Sequence, residues 1–160
     1  MISDQNKIDR LVDHIAEVRR HCIRMGEQLI AQGEAELGRR LIANGHVHDF
    51  SKWSGIEWEY LWSENEDKDA FKLAWQQHVT TNPHHPQFWG KKGIHGMPDI
   101  FVAEMVSDWK SRSNEFSKDL MEWINNEATV KYGFNKKQAI YKTIMRFVGM
   151  ICDAPFRKVA

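Results

Sequence analysis

The residues best suited to chemistry in this chain are its histidines, which are concentrated in one stretch. Six of the 8 histidines fall between residues 46 and 95, namely His46, His48, His78, His84, His85 and His95. Neutral imidazole is the commonest metal ligand among protein side chains, so this concentration predicts a metal site. The alternative is a histidine-rich loop without a function.

An adjacent pair, His48 and Asp49, lies near the end of the second predicted helix. At a helix end both side chains can turn toward one ion, the imidazole supplying nitrogen and the carboxylate supplying oxygen. The pair alone carries little weight, because Asp49 can instead cap the next helix beside a solvent-facing His48. Its interpretation depends on further ligands.

The first helix offers one such ligand, His21, which lies beside the apolar stripe and can reach the interior. His14 lies on a similar face. Either one can instead be a partly buried histidine that donates to a backbone carbonyl.

The fifth predicted helix offers Asp108, which shares a face with Phe101 and Met105. A buried carboxylate is costly without a partner, and a metal ion is a suitable one. An ion pair with Arg112, one turn along the helix, is the alternative.

A further cluster contains His78, on the inward face of the fourth predicted helix, and His84 with His85 in the loop that follows. Pro83 and Pro86 restrict the backbone on both sides of the two adjacent histidines. Two histidines held rigidly can serve one ion and a substrate, or two ions. The alternative is a surface turn stiffened by proline.

The elements that must position these residues are helices. Apolar residues spaced by three and four predict a first helix over about thirty residues, ended by Gly33. Further helices are predicted over about 34–47, from Ser54 through Trp62, from Asp67 through His78, and over about 99–112, 118–129 and 136–152, with a capping box formed by Asn135 and Gln138.

Between the fourth and fifth predicted helices, about residues 80–98 read as a long non-helical loop, and such length indicates function or mobility. The stiff histidine pair on glycine-containing arms suggests a lid. Strand-like alternation is absent from the sequence. We therefore predict an all-α, single-domain bundle of about six to seven helices spanning residues 1–160.

Composition narrows the class of protein. The chain has 160 residues, 22 Lys and Arg against 22 Asp and Glu, and 2 lone cysteines. The zero formal charge argues against general nucleic-acid binding. No apolar run reaches the length of a membrane span, and the N-terminal residues contain no apolar signal region. These features predict a cytoplasmic protein with reduced thiols and no membrane association.

The order His21, His48-Asp49, His78, His84-His85 and Asp108 resembles the HD-domain superfamily of helical, metal-dependent phosphohydrolases, whose signature is H…HD…D. The segments HVHDFSK, NPHHPQFW and EMVSDW look most like a short uncharacterised family of phages and bacteria. The resemblance covers about residues 10–112, and helices over 118–152 are expected to pack on that core.

By position, the resemblance implies that His21, His48, Asp49 and Asp108 are the primary metal ligands. It implies a second ion or a phosphate contact for His78, His84 and His85. Such a set of histidines and carboxylates suits one or two divalent transition-metal ions, namely Mn, Fe, Co, Ni or Zn.

The function expected from this resemblance is hydrolysis of a nucleotide or similar small phosphate ester by a metal-activated water. Asp49 would orient the hydroxide, Lys52 would neutralise phosphate charge, and His84 and His85 would complete the catalytic site. The candidates for substrate binding are Lys52, Asn82, Trp89 and Arg112, with Trp89 stacking on a base. The alternatives are a diiron oxygenase of the same superfamily and a non-catalytic protein with a structural metal site; homo-oligomer formation stays open.

Overall fold

The computed structural model describes residues 4–61 and 67–152, and every regular element within them is helical. The all-α prediction is therefore confirmed. The eight α-helices are α1 (Asp4–Ala31), α2 (Ala35–Val47), α3 (Gly55–Tyr60), α4 (Lys68–Thr81), α5 (Asp99–Glu115), α6 (Leu120–Trp123), α7 (Thr129–Tyr132) and α8 (Ala139–Cys152). Trp62, predicted to end the third helix, lies outside the described residues.

Helices α1 and α2 form an antiparallel hairpin with very close backbones. Gly33 has a φ of +90°, which allows the sharp reversal between them. Farther along, Gly26 faces Gly38, and a Cβ atom on either residue would clash with the backbone oxygen of the other. Glycines at this contact therefore bring the first turn of α2 close to the last turns of α1.

Helix α5 is the centre of the bundle. It packs against α1, α2 and α8, and 10 of its 17 residues are buried. A helix covered on most sides need not be amphipathic, and α5 carries polar residues such as Glu104 and Ser107 into the interior along with Val106. Those polar groups need partners within the protein.

The stretch between α4 and α5 differs from the predicted mobile loop. Pro86–Gly96 forms consecutive 3₁₀ turns that bend at Gly90 and Gly93, both at positive φ. Ile94 and Met97 anchor this segment in the core, where their side chains are 1% and 7% exposed. These apolar anchors hold the end of the segment against the bundle, although six residues of Pro86–Gly96 are exposed.

The C-terminal third contains more elements than predicted. Helices α6 and α7 are joined by a π-helical segment, Ile124–Ala128, so that one continuous helical run is divided in two. The predicted pairing of Asn135 with Gln138 is present, since the Asn135 backbone N–H donates to the Gln138 side chain at 2.8 Å. Helix α8 then packs on α5 and α1.

The predicted caps of the third and fourth helices differ in outcome. Asp67 caps α4 by accepting from the backbone N–H of Ala70 at 2.9 Å. Ser54 occupies the capping position of α3, but its side chain accepts no capping bond from the described residues. None of the helices in residues 4–61 and 67–152 combines the length and apolar character needed to cross a membrane.

Candidate metal centre

The backbone at the end of α2 directs two neighbouring side chains inward. His48 terminates the helix in an extended conformation, and Asp49 follows in the left-handed region with a φ of 55°. Aspartate tolerates this conformation better than most residues. The break in helical geometry lets His48 and Asp49, which are 2% exposed each, both face the interior between α1, α4 and α5.

One group of ligand atoms surrounds the Oδ2 atom of Asp49. This oxygen lies 3.3 Å from His14 Nε2 and 3.4 Å from His48 Nε2. Asp108 Oδ1 lies 3.3 Å from His14 Nε2 and 4.0 Å from His48 Nε2. We call these four residues the first ligand group.

A second ligand group faces the other oxygen of the same carboxylate. Asp49 Oδ1 lies 3.5 Å from His78 Nε2 and 3.4 Å from His84 Nε2. The Nε2 atoms of His85 and His78 are 2.9 Å apart. The second ligand group consists of Asp49, His78, His84 and His85. Asp49 thus belongs to both groups, with one oxygen directed toward each.

These separations are compatible with atoms that share one metal ion. Two atoms bound at about 2.1 Å lie roughly 3.0–3.4 Å apart when cis and about 4.2 Å apart when opposite each other. Among the described residues, four of the five buried side-chain atoms that have no hydrogen-bond partner belong to the groups: His14 Nε2, His48 Nε2, Asp49 Oδ1 and His84 Nε2. Such unpaired buried atoms are costly, and a bound cation would satisfy them. The donor set therefore fits divalent transition-metal ions.

In His14, His48, His78 and His84 the opposite ring nitrogen, Nδ1, has its own partner. His78 Nδ1 lies 2.9 Å from Glu57 Oε2, and His14 Nδ1 lies 3.2 Å from Ser111 Oγ. An Nδ1–H that donates to a carboxylate leaves the lone pair on Nε2, which is the tautomer a metal requires. Outer partners of this kind orient metal-binding histidines.

Glu57, which the sequence offers only as a distal proton acceptor, lies against His78. It is fully buried at 0% exposure, and it accepts from both His78 and the Ser51 hydroxyl, the latter at 2.8 Å. Its distance from the histidines along the chain gives no periodic signal. A glutamate one turn into a short helix after the HD pair is the only sequence feature that points to it.

The cluster holds its carboxylates ionised. Burial alone raises the pKa of Asp49, but His48 and Lys52 bring it well below the usual range. Burial likewise raises the pKa of Asp108, but the neighbouring His14 and His48 outweigh that effect and bring it well below the usual range. Ionised carboxylates in a buried site create a demand for positive charge.

Burial acts to lower the pKa of every histidine in the second ligand group, but the net shift differs between them. Burial lowers the pKa of His78 to about 4, and burial together with the neighbouring His84 lowers that of His85 to about 2. Both rings are therefore neutral near neutral pH and can present lone pairs. Burial also acts to lower the pKa of His84, but the bond to Glu104 and the charge of Asp49 raise it overall.

Lys52 lies at the boundary of both groups. Its Nζ atom is 2.5 Å from Asp49 Oδ2, and the residue is 5% exposed. The side chain also lines the adjoining cleft. Its ammonium group is thus placed between the Asp49 carboxylate and the cleft.

His21 lies apart from the ligands it was predicted to join. Within the described part of the chain it belongs to neither group, and its Nε2 lies 3.6 Å from Glu17 on the same helix. His14, two turns earlier on α1, occupies the position that was expected for His21. Burial lowers the pKa of His21 to about 4, which suits a neutral, partly buried histidine.

Two of the four residues predicted to bind substrate have structural contacts instead. The Asn82 side-chain amide donates to the His78 carbonyl at 2.8 Å and to Ser51 Oγ at 3.0 Å, so it caps α4. The Trp89 indole N–H donates to the Pro83 carbonyl at 2.9 Å, and the ring packs on Phe101. Neither Asn82 nor Trp89 lines the cleft.

The other two, Lys52 and Arg112, do line a cleft beside the ligands. Its volume is about 290 Å³, and Asp108, His78 and His85 form part of its wall. Four cationic side chains line it, namely Lys52, Arg112, Lys118 and Lys131. Five aromatic side chains line it as well, namely Trp75, Trp109, Phe116, Trp123 and Tyr132.

Comparison with known proteins places the chain in a family but does not give it an activity. Residues 3–154 match DUF5662, which is described as a family of unknown function. The chain belongs to this family. Searches of curated proteins and of solved structures found no match.

Proposed function

We propose that this member of DUF5662 is a cytoplasmic metal-dependent phosphohydrolase that acts on a nucleotide or a similar small phosphate ester. The observation that carries the proposal is the Asp49 carboxylate, whose two oxygens face two groups of histidine and carboxylate ligands beside a cationic cleft. The resemblance to the HD-domain superfamily supports the same proposal.

The first ligand group would hold one divalent transition-metal ion, and the second would hold another. Bound there, such ions acidify water and polarise a phosphoryl oxygen. In hydrolysis the water oxygen forms a bond to phosphorus, the ester P–O bond breaks, and the leaving oxygen takes up a proton. The role of the chain is to align the ester with the water and to balance the charge on phosphate.

The charge of the cleft favours a phosphate ester over an uncharged substrate. Lys52 is the cation nearest the ligands, and Arg112 lies one helical turn beyond Asp108 on α5. Lys118 and Lys131 are exposed residues farther along the lining. Cations placed where negative charge develops in phosphoryl transfer stabilise the transition state.

The aromatic wall favours a substrate with a planar ring. Trp109 and Tyr132 are stacked at a centroid distance of 5.7 Å, and Trp123 meets Trp109 edge-on at 4.8 Å. The exposed parts of such rings offer faces for stacking with a nucleobase. A nucleotide would place its phosphate near Lys52 and its base against this wall.

The test combines metal analysis with a substrate panel. Protein purified without chelator is expected to contain two transition-metal equivalents and to release phosphate from nucleoside monophosphates faster than from phenyl phosphate. Asp49→Asn keeps the left-handed backbone accessible but removes the bridging charge, so it should lose both metal and activity. Asp69→Asn, at an exposed position on α4, is the matched control and should change neither.

Three outcomes would contradict the proposal. Wild-type protein that binds no transition metal would remove the metal centre altogether. Protein that binds iron, shows visible absorption and consumes O₂ without releasing phosphate from any ester would support the oxygenase alternative. Bound metal with neither reaction would favour a structural metal site.

A further inference from the structure

Glu104 is a buried carboxylate that contacts a histidine of each ligand group. It lies on α5 one turn before Asp108, so both acidic side chains project from the same side of the helix, and it is 5% exposed. Its Oε1 atom lies 3.0 Å from His48 Nδ1 and 3.3 Å from His84 Nδ1. The rings of His48 and His84 have centroids 4.3 Å apart.

The second oxygen of Glu104 is also held. The Asn44 side-chain amide donates to Oε2 at 3.0 Å, which fixes the plane of the carboxylate. Glu104 Oε1 lies at hydrogen-bond distance from both Nδ1 atoms. A carboxylate oxygen accepts hydrogen bonds, so each imidazole donates to it through Nδ1.

Donation through Nδ1 determines the protonation state of the other ring nitrogen, Nε2, in each imidazole. With Nδ1 protonated, the lone pair of His48 lies on Nε2 toward the first ligand group, and that of His84 lies on Nε2 toward the second. A neutral imidazole has only one unprotonated nitrogen. Ligation through Nε2 is therefore incompatible with a third ion bound by His48, His84 and Glu104, although these three residues are also close enough to hold one.

We propose that Glu104 is a positioning residue shared by both ion positions, fixing the tautomer and orientation of one histidine ligand in each. The inference rests on the two-ion centre of the proposed function. Glu57 offers a contrast within the same site, because it accepts from His78 and thus supports only the second ligand group. Outer partners of this kind typically change metal affinity by about 10–100-fold.

The experiment titrates Co²⁺ into metal-free wild-type protein. The heat of binding, measured by calorimetry, reports the affinity at each ion position, and visible absorption reports the ligand geometry. Two Co²⁺ equivalents are expected for wild type. Glu104→Gln should weaken both by about 10–100-fold and alter both absorption bands. Glu57→Gln, the matched control, should weaken only one equivalent.

A folding readout separates positioning from a purely structural role. Melting temperatures are measured in chelator for each protein. If Glu104→Gln melts earlier but binds both equivalents with wild-type affinity and spectrum, Glu104 is structural and the inference is wrong. If Glu104→Gln does not fold, Asn44→Ala removes only the support of Oε2 and should weaken both equivalents to a smaller extent.

The number of Co²⁺ equivalents and their affinities also test the shared role of Glu104. Weakening of a single equivalent in Glu104→Gln would overturn the shared role, and so would three equivalents in wild type. No Co²⁺ binding by wild type would overturn both this inference and the proposed function. Two equivalents without phosphate release would count against the proposed function only, and Glu104 would still be judged by the affinities.

Discussion

At the scale of single residues, the clearest lesson comes from His14 and His21. They are seven residues apart on one long helix, so both lie on the same side of α1. Their separation along the helix axis is about 10 Å, which is enough to put only one of them beside Asp49. Periodicity identifies which face of a helix a residue lies on. Its position along the helix axis decides which histidine lies close enough to Asp49 to share an ion.

Lys52 is predicted to act on substrate and not on metal. In Lys52→Met the apolar chain still fills the buried position, but the ammonium group near the cleft is lost. Turnover of a phosphate ester should fall by about 10²-fold, the size typical of losing one transition-state stabiliser. Metal affinity should stay the same or increase, because the lysine no longer competes with a cation for Asp49.

Steady-state kinetics and metal content of the same preparation check this prediction. Lys72→Met, at an exposed position on α4, serves as the control and should behave as wild type. Loss of bound metal in Lys52→Met would mean that the lysine maintains the ligand geometry. Unchanged turnover would mean that it does not meet the phosphate.

At the scale of elements, the close approach of α1 and α2 brings two ligand-bearing segments together. Gly38→Ala would force a methyl group against the backbone of Gly26. Neither backbone can yield without moving a helix, so we expect a loss of about 1–3 kcal/mol in the free energy of unfolding, as for other overpacked sites. Urea denaturation in chelator measures this change apart from metal binding.

The control for that variant is Glu36→Ala, at an exposed position on the same helix. Alanine is a good helix former, so this change should leave stability almost unaltered. Equal stability of Gly38→Ala and wild type would show that the two helices can separate at little cost.

The 3₁₀ segment Pro86–Gly96 is predicted to be anchored to the core through Ile94. Ile94→Ala removes a side chain that is 1% exposed and should lower the free energy of unfolding by about 2–5 kcal/mol. A lid on mobile arms would give almost no change. Denaturation of Ile94→Ala beside Lys91→Ala, an exposed position in the same segment, distinguishes the two descriptions.

At the scale of the whole molecule, the ligands come from distant parts of the chain. His14 belongs to α1, Asp49 follows α2, His78 belongs to α4, and Asp108 belongs to α5. An ion bound by such a set links helices that separate on unfolding. Binding to the folded state alone stabilises it by about 2.7 kcal/mol when the free ion is at 100 times its dissociation constant.

Removal of both proposed ions by a chelator is therefore expected to lower the melting temperature of wild-type protein by roughly 10–20 °C under those conditions. Differential scanning calorimetry with and without chelator, at fixed ionic strength, measures the shift. Asp49→Asn should melt at the same temperature in both buffers because it lacks the bridging ligand. A chelator shift of the same size in both proteins would indicate metal binding elsewhere.

The amino-acid sequence by itself determined the helical class, most helix positions and the residue types of the candidate site. Apolar spacing along α1 and α5, and caps such as Asp67, are local features that act within a few residues. The His48-Asp49 pair is visible for the same reason, because its two members are adjacent. Local signals of this kind can be read from the sequence without knowledge of the fold.

Only the tertiary structure decided which residues meet. The choice of His14, the support given by Glu57 and Glu104, and the structural contacts of Asn82 and Trp89 all depend on how separate helices pack. The anchoring of the 3₁₀ segment by Ile94 also depends on packing against the core, which the glycine-containing sequence around Ile94 does not indicate. Distances between ligand atoms arise from helix contacts far apart in the chain, so no pattern along the sequence can encode them directly.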